Sequence, residues 1–440
     1  MTRLKSRVCS FIVTIAMLAF VLPTSAVSAQ TSSAKTLSEA LLKTSMATSM
    51  ESNGKLSLKL KAEGLSKSQQ QQLAGVSKIL NNLEVVFEAK ESGNKNGTKS
   101  KQYVKTTANV GGIPVSGEIW SDKNLTGKKP VIKAIVKSPQ LFKLLLPAQY
   151  ANKYMVLDSK NIKKVPKMGD KLSSIDCGKM MSGNKDLQKL ILVIAQKYSS
   201  QLNLKYNSIT NDGNVYKVKI DDATFKDVIR KVVNLTAKNK EVQNLIKNYM
   251  LTEMKNSGAS SKEINSTKCQ IEQMLTKLQS QAFLDVFNKQ MDRLQDVKIL
   301  GDKGIEINYT IDENGYIKST KADIEVVADM ANIKKVLGNT LTVANPTGTL
   351  TAMMHFESNN KNINQKVKIT LPKLNSKNSF KLSKVINKLQ PKPLKVPFEV
   401  IKSITLTKGK NNLKVNGKIV NRQNINNYIS KSRLFNFSCM

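Results

Sequence analysis

Histidine, tryptophan, arginine and cysteine are scarce in this chain of 440 residues, which has one His, one Trp, four Cys and only six Arg among its 70 basic side chains. A lone His355 excludes every site that needs two imidazoles, including the common zinc hydrolase arrangements. One Trp among 5% aromatics leaves little to line a sugar cleft or to stack bases. Scarce Arg removes the bidentate fork that base and phosphate recognition favour. No G-x-S-x-G, Walker loop or G-x-G-x-x-G occurs, so neither a nucleophile elbow nor a phosphate cradle is signalled. No catalytic, cofactor-binding or metal-ligating residue is therefore assigned.

What is present is Lys. Lys and Arg outnumber Asp and Glu by 70 to 32, giving a formal net charge of +38, and 40% of the residues are hydrophobic. That apolar fraction supports a core, and the composition is not that of a collagen, a coiled coil or a disordered acidic tail.

The N-terminus reads as an export signal over residues 1–29. A basic start (Arg3, Lys5, Arg7) precedes the apolar run Val8–Leu22, and the small residues Ala26–Ala29 suit cleavage before Gln30. The run is shorter than the roughly 20 residues a spanning helix needs. An extracellular or wall-associated protein is expected. Of the cysteines outside the signal, Cys177 and Cys269 are the one pair inside the body. They form either a disulfide, which export permits, or two free thiols. No C-x-x-C occurs.

Alternation marks the first strands. Leu56, Leu58, Leu60 and Ala62 share one face of KLSLKLKA, and Leu83, Val85, Phe87 and Ala89 repeat the pattern. Residues 103–110 and 113–121 form a hairpin about Gly111 and Gly112, with Pro114 pointing to a late start or an edge. Residues 131–137 and 154–158 continue the series, and 66–80 reads as a short polar helix. The period then changes. Leu187, Leu190, Ile191, Ile194 and Tyr198 are at helical spacing, a hairpin turns through Asn211–Asn214, and residues 222–295 form a helical segment with a capping box at Ser260 and Glu263. Asp221 with Asp222, and Asp312 with Glu313, are expected to cap a helix and shape a turn.

Strands return at 304–311, 316–327, 348–357 and 364–371, with Asn314-Gly315 a strong hairpin signal and 358–362 a polar loop. His355 falls on the polar face of its strand with Thr351, Met353 and Glu357, which suits a structural or surface histidine better than a catalytic base. Residues 373–398, rich in Pro, read as a linker. The expected fold is α+β: one large curved antiparallel sheet with helices on one face and a short C-terminal β-hairpin.

The stretch GKLSLKLKAEGLSKSQQQQLAGVSKILNNLEVVFEAK, with GGIPVSGEIW and LPAQYANKYMVLD, resembles the LolA/LppX-like lipoprotein-carrier fold over residues 30–372. That resemblance implies a curved sheet partly wrapped around helices and space for a lipid acyl chain between them. Residues 399–420, with ITLTKGKNNLKVNGKIV, resemble the opening hairpin of a copper amine oxidase N-terminal-like (stalk) domain of exported Gram-positive proteins. No copper chemistry follows, because the match covers none of the catalytic part. Residues 421–440 depart from that pattern and read either as a frameshifted tail that truncates the domain or as a natural short tail.

Three functions fit these features. The first is a non-enzymatic envelope scaffold or binding protein, held at anionic wall polymers or the membrane surface by Lys-rich strand faces such as Lys217, Lys219, Lys366 and Lys368. The second is a carrier of an apolar ligand. The third, nucleic-acid binding, rests on charge alone, and no specific nucleic-acid partner is expected.

Overall fold

The computed structural model describes residues 32–110, 113–124, 126, 131–137, 148–150, 152–158, 190, 194, 198, 209–256, 261–337, 347–382, 404–406, 413–415 and 418–420. The signal, Cys177, the tail after 420 and the expected capping box at Ser260 lie outside these residues.

Helix α1 (Ser32–Ser45) leads into strand β1 (Ser49–Glu63), helix α2 (Lys67–Asn81) and the strands β2 (Glu84–Gly93), β3 (Lys99–Val110), β4 (Ile113–Asn124), β5 (Val131–Lys137) and β6 (Tyr154–Asp158). A second series runs β7 (Ile209–Asp212), β8 (Val215–Ile220), helices α3 (Asp222–Lys238), α4 (Lys240–Asn256), α5 (Ser261–Leu278) and α6 (Gln281–Arg293), then β9 (Leu300–Ile311), β10 (Ile317–Asp329), α7 (Met330–Leu337) and β11 (Thr349–Lys361). All of these strands and β12 (Ser379–Lys381) join one sheet of twelve strands in the order β12-β6-β5-β4-β3-β2-β1-β11-β10-β9-β8-β7. Strands β13 (Ile404–Leu406), β14 (Leu413–Val415) and β15 (Lys418–Val420) make a separate antiparallel sheet of three. The large sheet is antiparallel except for β12, which pairs parallel to β6. The α+β expectation therefore holds.

Each half of the sheet is a meander, so neighbours in sequence are neighbours in space. The exceptions are β12 beside β6 and the centre, where β1 pairs with β11 from Glu51 with Lys361 to Glu63 with Thr349. Along each strand, alternate residues reach opposite faces. One face carries Ile307, Ala322, Phe356, Leu56 and Val85, each pair directly opposite in register. This is the face the helices cover. Leu37 of α1, Val228 and Val232 of α3, and Val242 and Ile246 of α4 are buried with Ile220, Leu300 and Ile307 in the main core. Of the helical stripe expected over 187–198, Leu190, Ile194 and Tyr198 belong to that core, and Leu187 and Ile191 lie outside the described residues. Helices α5 and α6 pack farther out, where Ile271, Leu275 and Leu278 bury against Val233 of α3. Burying each such aliphatic side chain contributes roughly 1.5–3 kcal/mol.

Local chemistry sets the element ends. Asp221 caps α3 by accepting from Thr224 N at 2.7 Å. Ser66 and Gln69 form a capping box on α2. Gly304, at φ 63°, lies so close to Ile220 that a Cβ would sit 2.2 Å from its carbonyl oxygen, so the β8–β9 contact demands glycine. Pro114, the second residue of β4, lies opposite Asn109 of β3, and the described β4–β5 pairing begins only at Glu118, so among the described residues the proline has no partner on its second side.

Three expectations change. Residues 358–361, expected as a polar loop, continue β11, because Ser52 donates to Asn360 Oδ1 at 2.7 Å and the turn comes later, at Asn362 and Asn364 with positive φ. Residues 364–371, expected as a strand, begin in the turn at Asn364 and join no ladder among the described residues, although Val367 is buried. Residues 379–381, expected within the linker, form β12, whose Phe380 is buried against Tyr150 at a ring distance of 4.6 Å.

Candidate functional site

The two faces of the sheet offer different chemistry. On the helix side, the main core is centred on β7–β10, yet the apolar rows run on across β11, β1, β2, β3 and β4. Leu56, Leu58, Val85, Phe87 and Val104 are half-buried there. Ile119 is 37% exposed and Val326 is 41% exposed. Phe87 and Phe356 stack across β1 at 6.0 Å with their planes 9° apart. A sheet face of this composition gains by covering Leu, Ile, Val and Phe with more apolar surface.

The opposite face is charged, and several of its charges are matched. Lys219 meets Glu306 at 3.0 Å, Lys137 meets Glu118 at 2.8 Å, Lys55 meets Glu357 at 3.6 Å and Lys90 meets Glu51 at 3.7 Å. These are cross-strand pairs of opposite sign. Lys217 and Lys219 thus belong to a face rich in carboxylates as well as Lys. Lys366 and Lys368 lie exposed on the unpaired stretch after β11.

At the centre of this face, the lone histidine stands between two carboxylates. His355 Nδ1 is 2.8 Å from Asp323 Oδ1 on β10, and its Nε2 is 3.1 Å from Glu357 Oε1, two residues along β11. The hydrogen bond with Asp323 raises the imidazole pKa against the opposing effect of burial, and the bond with Glu357 raises it further. Glu357 is held low by His355, against burial, with help from Lys55 and Lys321. Beside this group opens a cleft of about 330 Å³, bordered by Ser57, Lys59, Lys303, Asp323, Glu325 and Met353. Sequence patterning placed His355 and Glu357 on one strand face. It could not supply Asp323, because the β10–β11 register is not written in either strand alone.

At the β6 end the same face becomes aromatic. Trp120 is buried, with Tyr103 at 5.3 Å and Tyr154 at 5.9 Å. Burial, then the neighbouring Glu118, push the Tyr103 phenol up to about 12.

The remaining sequence candidates serve structure. Asp312 accepts from the Asn314 and Tyr316 N–H groups in the β9–β10 turn. Asp222 does not cap α3 as expected. It bridges Lys226 at 2.5 Å with the N–H groups of Ile299 and Leu300, both at 2.8 Å, and so pins α3 to the start of β9. Cys269 is an exposed free thiol on α5, within 3.7 Å of Gln273 Nε2, and its proposed partner Cys177 lies outside the described residues. Among the described residues no group of three or more His, Cys, Asp or Glu is placed to hold a metal, and no helix is long and apolar enough to cross a membrane.

Comparison with protein-family models finds no match, and neither does comparison with curated proteins or with solved structures.

Proposed function

We propose that the protein is a non-enzymatic, exported binding protein of the cell envelope that holds an apolar ligand, such as a lipid acyl chain, on the helix-side face of its sheet. One observation carries this reading: the apolar rows extend past the main core, leaving Ile119 and Val326 exposed on the same face as the stacked Phe87 and Phe356. An acyl chain laid there gains about 0.8 kcal/mol for each CH₂ it buries. The likeness of residues 30–372 to lipoprotein carriers supports the same reading. The test is lipid extraction and native mass spectrometry of the purified protein, followed by titration with a fluorescent fatty acid. Binding that weakens at least tenfold in Ile119→Asp and Val326→Asp supports the proposal. A ligand-free protein that ignores the fatty acid sinks it.

The net charge of +38 favours a second role, adhesion to anionic wall polymer or membrane surface. Because Lys55, Lys90, Lys137 and Lys219 of the polar sheet face are paired with carboxylates, that attraction falls to the other Lys of the chain. Salt-dependent release from isolated walls tests it, and retention in high salt argues against it.

A further inference from the structure

An ionised carboxylate only accepts hydrogen bonds, and a neutral imidazole has only one N–H to give. Both nitrogens of His355 face carboxylate oxygens, at 2.8 Å and 3.1 Å. The arrangement is therefore complete only when His355 is an imidazolium donating from both nitrogens. We propose that His355 is a proton-operated clasp on the polar face of the sheet: charged, it ties Asp323 of β10 to Glu357 of β11; neutral, it lets go of one carboxylate and loosens the wall of the adjoining cleft.

The surroundings favour two discrete arrangements. On β10, Asp323 lies directly opposite His355, flanked by Lys321 and Glu325. On β1, uncharged Ser57 lies opposite, flanked by Lys55 and Lys59. On β11 itself, Met353 and Glu357 flank the ring. Glu357 already lies 3.6 Å from Lys55 and 3.8 Å from Lys321, so a carboxylate released by His355 has ammonium partners waiting. Asp323 has no such second partner among the described ion pairs and keeps the remaining N–H. Loss of the proton thus moves Glu357 toward Lys55 and Lys321 and removes one positive charge from the cleft lined by Asp323 and His355. The ring is one-third exposed, so protons reach it without unfolding. The upward shift of its pKa has the sign this geometry requires.

Because the chain contains a single histidine, the test needs no assignment. The imidazole C–H resonance of the full-length protein is followed by NMR from pH 4 to 9, in the wild type and in Asp323→Asn and Glu357→Gln. The proposal expects a wild-type midpoint above the ordinary imidazole value and a lower midpoint in each variant. The amide-exchange rates of β10 and β11 should also rise between pH 5 and 8 relative to those of His355→Gln. An ordinary or lowered midpoint, a midpoint indifferent to both carboxylate variants, or strand exchange that follows the same pH course in His355→Gln would each overturn it. All three substitutions are at partly exposed positions, and Glu357→Gln retains an acceptor for His355 should Asp323→Asn fold poorly.

Discussion

The ring of Phe87 occupies the space where Gly54 would carry a side chain. A Cβ built on Gly54 falls 2.7 Å from Phe87 Cζ and 2.0 Å from the Glu357 carbonyl oxygen. The two residues are directly paired across β1 and β2, and the vacancy lets Phe87 reach over β1 to stack on Phe356. Aromatic cover of a strand glycine in this way restores packing that the missing side chain would have given.

Gly54→Val should therefore destabilise the protein by about 3 kcal/mol, at the upper end of overpacking costs. Phe87→Leu should cost about 1 kcal/mol, since the ring is half-buried and a branched aliphatic replaces part of its contact. Urea midpoints read both, and a Gly54→Val variant as stable as wild type would contradict the packing described.

Asp222 gives an acid dependence. Burial opposes its ionisation, but hydrogen bonds from Lys226 and from the Leu300 and Ile299 N–H groups outweigh it and hold the carboxyl below the usual Asp range. A depressed folded-state pKa contributes stability that is present above the unfolded value near 3.8 and is lost as pH falls through the folded one. Asp222→Asn should cost about 2 kcal/mol at pH 7, leaving buried Lys226 without its counter-charge. Its acid unfolding curve should be flatter than that of the wild type below pH 4. Equal curves would remove Asp222 from this role.

Asn81, the last residue of α2, completes the ladder of β1 where β2 has not yet begun to pair. Its side chain accepts from Leu60 N at 2.5 Å and donates to Leu60 O at 3.1 Å. Asn81→Ala should cost about 1 kcal/mol and speed amide exchange at Leu60 with little effect at Leu56, which pairs with Val85. Asn81→Asp keeps only the acceptor and should fall between the two.

Trp120 should show blue-shifted emission and weak acrylamide quenching, as it is 8% exposed between Tyr103 and Tyr154. It lies on the face opposite Ile119. A fatty acid bound on the apolar face should leave that emission almost unchanged, and a large shift on titration would place the ligand on the aromatic side instead.

Alternation carried much of the fold. Leu56, Leu58 and Leu60 announced β1, and Asn314-Gly315 announced the β9–β10 hairpin, because strand period and turn chemistry are local properties. Pairing between distant segments is not local. Nothing in KLSLKLKA says that its second neighbour is TAMMHFES, and so the His355–Asp323–Glu357 group, which exists only through the β10–β11 register, was half legible. Polar residues misled at 358–361, where side-chain hydrogen bonds such as Ser52 to Asn360 sustain a strand without apolar alternation. At 364–371 a strand was expected, and Val367 is buried there, yet a local pattern cannot say whether a ladder partner is free.

The position of β1 and β11 side by side has a consequence for how the chain reaches its final state. Leu56 and Phe356 face each other at the centre of the sheet, so the seam joining the two meanders is also the contact that spans almost the whole body. Each meander can zip by neighbouring hairpins, but the seam waits on the closure of a very long loop, which slows formation of non-local pairings. Until β11 arrives, β1 and β10 are both open edges, able to recruit strands from other molecules. A chain interrupted before residue 349 would retain both meanders and lack the strand that joins them, and it would be expected to aggregate before it unfolds.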